Sequence, residues 1–572
     1  IISNKKLMRF ITILLLSLFI NDLKSQSNQN FVMDLPINLS GTFGELRTNH
    51  FHSGIDIKTN RVEGLNIYSY EKGYISRIQV STYGYGKAIY ITHPDGKITV
   101  YAHLSKFSEK IQNYVKDIQY KRKKFAIKVY PKESEILIEK NEIIGYSGNT
   151  GSSSGPHLHF ELRDKNNMPV NPLKYRNIEI IDTIIPSLKG VYYKELKYNN
   201  GKLEDNYSRF KKIKFIENDN GKYLTDTIYT NGVIGFGVNS FDLMNNSNNV
   251  YGLNKIITKI NDSVNFKINF DKFSFDEWTY INTYVDYAYF KRTNEKIQKL
   301  YIENINPLNL YDRSLGDGAL KLNDSKNILI NYKIILFDFN NNTTVINIPI
   351  VFTDQRKEEI FKKKGNINIQ NNLDKKIRLE NYFVEFKKGT FDYNTSLTIS
   401  ESNNTINIDN DTIPLRKPFT IKYSLKNIDD SRKKYLYLAM KGPKNYHYFI
   451  SSEKFNDSII GHAKKLGKFK ILTDSIPPDI NFYNLKNDQW ISNRKKLTIK
   501  INDNESGIKS FNGWINNKWI LLEYESKKNM LTYDFEDKVN SNDSKNELVV
   551  SVKDNCGNVS MKKITFYRKI YD

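Results

Sequence analysis

Two short stretches, His52-Ser53-Gly54-Ile55-Asp56 and Gly155-Pro156-His157-Leu158-His159-Phe160-Glu161, determine how the first part of this 572-residue chain is expected to fold. Side chains alternate along a strand, so His157, His159 and Glu161 are predicted to share one face while the residues between them face the core. Two histidines and one carboxylate leave a position on a tetrahedral zinc open for water, which is typical of catalytic zinc sites.

The sequence around these stretches, from about residue 32 to 175, differs from the rest of the chain. It contains six of the eight histidines and dense glycine punctuation. Residues 73–80 are predicted to form a strand, and residues 87–93 and 97–103 a hairpin around Pro94-Asp95-Gly96. A Lys/Tyr-rich segment, 107–135, interrupts the pattern and is expected to contain a short helix.

The motifs of this region resemble those of the lysostaphin/LytM-type zinc metallopeptidases, which are peptidoglycan endopeptidases with a β-rich duplicated hybrid motif fold. The matching segments occur in the family's order and cover roughly a quarter of the chain. They are Phe43-Gly44-Glu45-Leu46-Arg47, His50-Phe51-His52-Ser53-Gly54-Ile55-Asp56, Tyr101-Ala102-His103-Leu104-Ser105, Ile144-Gly145-Tyr146-Ser147-Gly148-Asn149-Thr150-Gly151 and Gly155-Pro156-His157-Leu158-His159-Phe160-Glu161.

The resemblance implies a role for five residues. His52, Asp56 and His159 would bind one zinc ion per catalytic domain, and His103 and His157 would be the catalytic histidines. Zinc lowers the pKa of bound water to about 7 and polarises a carbonyl, while a histidine can accept or donate a proton near neutral pH. The implied partners are peptide stems or cross-links of bacterial peptidoglycan, and the division of labour between the two histidines stays open.

Two departures from the family pattern concern the backbone and the access to the site. Asn141 stands where a glycine is usual, and asparagine tolerates the left-handed conformation, so no loss is expected. The 107–135 segment is longer than in compact members of the family and is expected to form a rim or lid that narrows substrate access.

Beyond residue 180 the chain is predicted to form tandem β-sandwich modules of Ig-like type, so the fold class is mainly β. Two echoes support repetition: residues 182–188 resemble 474–480, and residues 338–342 resemble 554–558. The expected domains are a zinc peptidase domain over 26–180, sandwich regions over 184–355 and 376–475, and a C-terminal sandwich over 476–572.

Acidic residues near the ends of the last strands allow two interpretations. Asp503, Glu505 and Asp554 carry oxygen ligands suited to calcium, but they lack the regular spacing of a calcium loop. Turn formation is therefore the preferred interpretation.

The N-terminus has the pattern of an export signal. Lys5, Lys6 and Arg9 precede an apolar run over 10–20, which predicts a signal peptide over 1–25, with Met8 as a possible start. We therefore expect the protein in the periplasm or outside the cell. No second long apolar stretch follows, so no transmembrane segment is expected in the mature chain. The single cysteine, Cys556, excludes an intrachain disulfide.

The net charge of +23 invites an anionic partner such as cell-wall polymer, nucleic acid or a membrane surface. The basic residues are spread along the chain, and the densest block is only Lys121-Arg122-Lys123-Lys124. A solvated basic surface is the preferred interpretation, and nucleic-acid binding is not expected.

Three alternative functions remain open. The first is a catalytically occluded LytM-like domain that regulates other wall hydrolases. The second is a mononuclear iron oxygenase, since two histidines and a carboxylate also form that site. The third is a surface adhesin in which the sandwich modules dominate. Retention of all five key residues favours the zinc-dependent metalloendopeptidase.

Overall fold

The structure is a computed structural model of the chain, and it is built mainly from strands. It describes residues 31–175, 178, 180–204, 208–322, 329–353, 365–409, 411–537 and 544–569. The expected signal peptide lies outside the described residues. None of the described helices combines the length and the apolar character needed to cross a bilayer.

The first region contains fourteen strands, β1 to β14, and helix α1, which spans Glu109–Arg122. The strands are, in order, Leu39–Gly41, Leu46–Arg47, His50–Phe51, Ile55–Lys58, Asn66–Tyr68, Gly73–Val80, Lys87–Thr92, Ile98–Leu104, Lys106–Phe107, Ile127–Val129, Leu137–Ile138, Ile143–Tyr146, His157–Arg163 and Pro169–Val170. A 3-10 helix, Pro172–Lys174, follows.

Nine of these strands form one antiparallel sheet with the order β1-β4-β13-β8-β7-β6-β10, in which β11 pairs with β6 and β14 with β13. Strands β5, β12 and β9 form a small second sheet. Strand β13 lies between β4 and β8, and its register places His159 opposite Asp56 on one side and Ala102 on the other. The two sequence motifs therefore meet at the centre of the large sheet.

Several local predictions are confirmed here. A strand occupies Gly73–Val80, and the hairpin forms from Lys87–Thr92 and Ile98–Leu104. Asn141 has a φ of 61°, so asparagine does take the left-handed conformation at that position.

The segment over 107–135 folds around α1, which is longer than the short helix predicted. The helix buries Ile111 and Val115 in the core of the first region and ends at Lys123, whose φ of 49° is left-handed. It also contacts the C-terminal region: Tyr120 packs edge-on against Trp519, with ring centroids 5.3 Å apart, and Lys116 Nζ lies 3.0 Å from a carboxylate oxygen of Asp537. The segment thus joins two regions of the chain.

The second region contains strands β15 to β27 and helices α2, Ile281–Tyr284, and α3, Tyr287–Thr293. The strands are Ser187–Asn199, Lys202–Glu204, Lys211–Ile213, Phe215–Asp219, Lys222–Thr225, Ile228–Thr230, Gly232–Phe241, Lys255–Ile260, Ser263–Asn269, Gln298–Lys299, Leu320–Leu322, Leu329–Phe337 and Thr343–Phe352. 3-10 helices occupy Phe275–Tyr280 and Arg313–Leu315. The strands form a six-stranded and a seven-stranded sheet.

The rest of the chain contains strands β28 to β47 and helix α4, Asp430–Lys433. Strands β28 to β38 are Ile367–Ile369, Lys375–Arg378, Tyr382–Phe386, Thr395–Ser402, Thr405–Asp409, Phe419–Ser424, Leu436–Lys441, His447–Ser451, Lys454–Phe455, Ser458–Ala463 and Gly467–Thr473. Strands β39 to β47 are Asp479–Phe482, Gln489–Trp490, Lys496–Asn502, Ile508–Ile515, Lys518–Ile520, Glu523–Glu525, Met530–Asp534, Lys545–Asp554 and Val559–Tyr567.

Each of these last two groups of strands forms a pair of sheets around one hydrophobic core. In the C-terminal core, Leu497, Ile499 and Ile501 alternate with more exposed residues, which is the half-buried strand pattern. The turn predicted for Asp503 and Asp554 is confirmed, because both carboxylates accept hydrogen bonds from backbone amides of the following residues.

The core of the second region includes two residues of the first. Phe43 and Phe51 are buried in it, and the Phe51 ring lies 5.5 Å from Phe273 and 6.4 Å from Tyr284. Gly44, between them in the chain, has a φ of 77°, and a Cβ there would stand 2.8 Å from the Cβ of Phe270. The strand pair leading to His52 is therefore packed into the second region.

Candidate active site

The loop from His52 to Asp56 brings its two polar ends to the central strand β13. Gly54 permits this approach, because a Cβ at that position would lie 2.2 Å from the carbonyl oxygen of Phe160. Asp56 sits in β4 directly opposite His159. The tight loop predicted around Gly54 is thus required by the contact between the two motifs.

His52, Asp56 and His159, called here the metal triad, converge on one point. The distance from His52 Nε2 to Asp56 Oδ1 is 3.1 Å, that from His52 Nε2 to His159 Nδ1 is 3.1 Å, and that from His159 Nδ1 to Asp56 Oδ1 is 2.9 Å. All three side chains are buried. Three donor atoms at the corners of such a small triangle can hold a metal ion.

The opposite nitrogen of each histidine of the triad has its own acceptor. His52 Nδ1 lies 2.7 Å from the carbonyl oxygen of Thr42, and His159 Nε2 lies 2.9 Å from Glu161 Oε1. An N–H that donates to each of these acceptors leaves the lone pair of the other ring nitrogen directed at the triad. Partners of this kind fix the tautomer and ring orientation of metal-binding histidines.

The carboxylate of the triad is held in the same way. Arg47 Nη2 donates to Asp56 Oδ2 at 3.0 Å, and Arg47 Nε donates to Glu45 Oε2 at 2.9 Å. Burial opposes ionisation of Asp56, but the surrounding histidines outweigh it and hold the pKa of Asp56 well below its usual range. The carboxylate is therefore ionised and keeps Oδ1 available to a cation.

The metal triad fits zinc in its spacing and in its donors. Tetrahedral ligands about 2.0–2.2 Å from zinc lie roughly 3.3–3.5 Å apart, close to the separations measured here. Without a cation, burial lowers the pKa of His159, but hydrogen bonds to Asp56 and Glu161 outweigh it and raise that pKa to about 9. A positive charge is thus favoured at the centre of the triad, as a proton or as a metal ion.

Glu161 anchors His159 through a fully buried network. Its carboxylate accepts from Arg163 Nε at 2.7 Å, from Ser53 Oγ at 2.6 Å and from the hydroxyl of Tyr85. Burial opposes the charge, but Arg163 and His159 outweigh it and hold the pKa of Glu161 far below its usual range. The prediction that Glu161 shares the histidine face of the strand is confirmed.

His103 and His157 lie beside the metal triad. Their ring centroids are 4.8 Å apart, and His157 Nε2 lies 3.5 Å from Asp56 Oδ1. His103 Nδ1 lies 2.9 Å from the carbonyl oxygen of Thr150, and burial together with the neighbouring histidines lowers the pKa of His103 to about 3. His103 is therefore neutral at physiological pH, and Nε2 is the ring nitrogen left to accept a proton.

His157 is held through its Nδ1 atom. That atom lies 2.9 Å from the carbonyl oxygen of Gly155 and 3.1 Å from Ser153 Oγ. Its side chain retains 16% exposure, against 5–9% for the side chains of the metal triad. His157 is therefore the member of the site that incoming molecules reach first.

The C-terminal region contacts the loop that holds both of these histidines. Lys527 Nζ donates to the carbonyl oxygen of Asn149 and, at 3.0 Å, to that of Ser153. Glu523 pairs with Lys87 Nζ at 3.0 Å on the same side. The strand pair over 523–534 thus forms one wall beside the site.

The structure brings together all five residues singled out from the sequence. Sequence reasoning quoted Arg47 and Thr150 within motifs but gave them no role, and it missed Thr42 and Lys527. The acceptors on Thr42 and Thr150 are backbone carbonyls, which leave no side-chain signal in a sequence. Lys527 lies more than 350 residues from its partners along the chain, so only the fold reveals the contact.

Comparison with known proteins agrees with this geometry. A sequence model of Peptidase family M23 matches residues 50–120 and 127–172. The "DD-carboxypeptidase/endopeptidase Mpg" of Neisseria meningitidis serogroup B is 34% identical over 128 residues, which are 22% of this chain and 23% of that protein. Lysostaphin of Staphylococcus simulans is 32% identical over 111 residues, 19% of this chain and 17% of that protein.

Two solved structures are similar to about a quarter of this chain. A catalytic-domain mutant of the prophage-encoded M23 protein EnpA from Enterococcus faecalis is 26% identical, covers 26% of this chain and 98% of its own, and has a TM-score of 0.18. A zinc-containing peptidase from Vibrio cholerae is 25% identical, covers 26% of this chain and 39% of its own, and has a TM-score of 0.19.

The chain spans less than a quarter of the length of these curated relatives. The family model includes every motif residue of the site described above from His50 onward. The chain therefore carries a domain of peptidase family M23, of the lysostaphin/LytM type, over residues 50–172.

Proposed function

We propose that this protein is an exported, zinc-dependent metalloendopeptidase that hydrolyses peptide cross-links of bacterial peptidoglycan. The observation that carries the proposal is the metal triad, whose three donor atoms lie 2.9–3.1 Å apart while the far atom of each side chain is occupied by Thr42, Arg47 or Glu161. Such an arrangement in a buried site is suited to hold a cation in fixed geometry.

The chemistry divides between the triad and the two flanking histidines. His52, Asp56 and His159 would hold the zinc ion, which when bound would supply a water of lowered pKa and polarise the scissile carbonyl. His103, neutral and held by Thr150, accepts a proton at Nε2. His157, held at Nδ1, directs Nε2 at the same space. Together they cover proton acceptance, oxyanion stabilisation and protonation of the leaving amine.

The substrate and the location follow from the relatives and the N-terminus together. The names of the Neisseria and Staphylococcus relatives describe a DD-carboxypeptidase/endopeptidase and a lysostaphin. We infer peptidoglycan stems or cross-links as the substrate, which requires export through the signal peptide over 1–25. The regions over 184–355, 376–475 and 476–572 then serve as accessory modules. The first and the last of these three also contact the residues around the site.

Mass spectrometry of purified peptidoglycan tests the proposal directly. The mature protein, the same protein after chelation, and His159→Ala are incubated with the polymer. New un-cross-linked peptides are expected only with the zinc-loaded wild type, and their masses identify the bond. Equal product from His159→Ala or from the chelated sample would contradict zinc-dependent hydrolysis.

One observation favours a second candidate, a LytM-like domain that regulates other hydrolases without cleaving. The site is deeply buried, and Lys527 of the C-terminal region sits on the loop beside it. If this is the function, the wild type binds zinc yet yields no products, and products appear when the Lys527 contact is removed. The 107–135 segment is a less direct target, because its helix contacts the C-terminal region at Trp519 and Asp537.

A further inference from the structure

A second cluster of charged side chains lies where the first and second regions meet. Asp182 precedes β15, Asp242 follows β21 and Asp338 follows β26, so three strands of the second region deliver them to one end of that region. One carboxylate oxygen from each lies within 4.8 Å of the others. Their exposed fractions are 6%, 1% and 0%. These residues are called the aspartate triad below.

The aspartate triad is incomplete as a hydrogen-bonded structure. Asp338 accepts from the backbone amide and the side-chain amide of Asn342, at 2.8 and 2.6 Å, and Asp182 Oδ1 accepts from the amide of Ile184 at 3.1 Å. Neither oxygen of Asp242 has a hydrogen-bond partner among the described residues. A buried carboxylate without a partner is costly, and it persists in a native fold when something absent from the protein satisfies it.

The charge of the aspartate triad is also uncompensated. Among the described parts of the chain, no lysine or arginine forms an ion pair with Asp182, Asp242 or Asp338. Burial and the two neighbouring carboxylates raise the pKa of Asp242 to about 8, and burial raises that of Asp338 to about 6. Three buried carboxylates at this distance repel one another, and a proton on one of them or a cation between them relieves the repulsion.

We propose that Asp182, Asp242 and Asp338 bind a calcium ion. Hard divalent cations take oxygen ligands, and all of the donor atoms here are carboxylate oxygens. Calcium accepts irregular geometry and several protein oxygens, whereas magnesium demands near-ideal octahedra and keeps several waters. The absence of nitrogen donors separates this site from the metal triad.

The C-terminal region repeats this arrangement with Asp474, Asp503 and Asp554, whose carboxylate oxygens also lie within 4.8 Å of one another. Asp474 and Asp554 correspond to Asp182 and Asp338, and Asn558 donates to Asp554 Oδ2 at 2.7 Å as Asn342 does to Asp338. The third member, Asp503, accepts from the amides of two following residues, at 3.1 and 2.6 Å. Backbone amides therefore satisfy the carboxylate whose counterpart, Asp242, has none.

The ion would stabilise the contact between the first and second regions. Asp242 and Tyr251 exchange two backbone hydrogen bonds of 2.9 Å, and the hydroxyl of Tyr251 donates to the carbonyl oxygen of Leu39 in the first region at 2.7 Å. The amide of the next residue, Gly252, donates to Thr42, whose carbonyl holds His52. Calcium at the aspartate triad would thus fix the segment that supports the metal triad.

Calcium binding to the full chain tests the proposal. The protein is stripped of metals and reloaded with one equivalent of zinc, and calcium is added in a calorimetric titration and in thermal unfolding. We expect one binding event and a rise of the unfolding midpoint by roughly 3 °C or more at saturating calcium. Magnesium at the same concentration is expected to give a smaller rise.

Asp242→Asn separates a ligand from a structural residue. The variant should lose the calcium-dependent shift while its midpoint without calcium equals or exceeds that of the wild type, since a buried like charge is removed. Asp503→Asn is the matched control and should keep the wild-type calcium shift. No calcium shift in the wild type, an intact shift in Asp242→Asn, or a shift lost only in Asp503→Asn would each overturn the proposal.

Discussion

The metal triad and the aspartate triad both bring three donors into a small buried space, but the protein treats them differently. Each side chain of the metal triad has a partner on its far side, so its geometry is fixed before a metal arrives. In the aspartate triad Asp242 has no such partner. Preorganised nitrogen and oxygen donors suit zinc and catalysis, whereas bare carboxylates suit a structural hard cation.

The two triads also lie on opposite sides of one interface, which links them physically. Phe43 and Phe51 of the first region enter the core of the second region, and Tyr251 of the second region reaches the core of the first. The second region is therefore part of the support of the zinc site. It is not simply appended to the M23 domain, because residues of each region complete the core of the other.

The largest expected effect comes from removing a donor of the metal triad. His159→Ala should bind no zinc at micromolar concentration and should lose activity by roughly a thousandfold or more, because only two ligands remain. Its calcium-dependent shift should persist, since the aspartate triad is untouched. Mass spectrometry measures the zinc content, and peptide release measures the activity. The control is His462→Ala, which changes an exposed histidine of the strand Ser458–Ala463 and should behave as the wild type. Loss of the calcium-dependent shift in His159→Ala would contradict the independence of the two triads.

Packing between the regions should matter next. Phe51→Ala removes a fully buried ring at the interface and is expected to cost about 3–5 kcal/mol of the free energy of unfolding. Zinc affinity should fall with it, because His52 follows Phe51 directly. Phe566→Ala removes an equally buried ring from the C-terminal core and should destabilise the protein without changing zinc affinity. Unequal zinc affinities would support the shared interface, and equal ones would contradict it.

The far-side partners of the metal triad provide a smaller effect. Arg47→Ala leaves all three ligands in place but frees Asp56 Oδ2, so zinc affinity should fall by about 10–100-fold. Competition with a chromogenic chelator gives the affinity. Arg61→Ala, an exposed arginine on a nearby loop, should leave it unchanged. An unaltered affinity in Arg47→Ala would mean that the far-side partners do not distinguish the two triads.

Sequence reasoning reached the metal triad because its residues obey local rules. The period of two in β13 fixes the faces of His157, His159 and Glu161, and Gly54 marks the close approach of two backbones. The family resemblance supplied the roles, and it ends near residue 175. The helix over 109–122 is longer than the sequence predicts. Its apolar residues are few, and its stability comes from packing on both the first and the C-terminal regions.

The aspartate triad could not be found in the same way. Asp182, Asp242 and Asp338 are separated by 60 and 96 residues, with no spacing motif, and only the packing of two different sheets brings them together. The echo between residues 338–342 and 554–558 was visible as a repeat of turns. Its meaning depends on whether a backbone amide reaches the third carboxylate, and that is a property of tertiary structure.

The smallest expected effect distinguishes a C-terminal region that supports the site from one that obstructs it. Lys527 binds the carbonyl oxygens of Asn149 and Ser153, in the loop whose Thr150 holds His103. If the contact positions the histidines, Lys527→Ala should lower peptide release by roughly twofold to fivefold, because a partly exposed charge–carbonyl bond contributes about 1 kcal/mol. Lys528→Ala, the exposed neighbour, should have no effect. An increase in Lys527→Ala would show that the C-terminal region restrains the site, since a wall that only orders the loop cannot raise turnover when it is weakened.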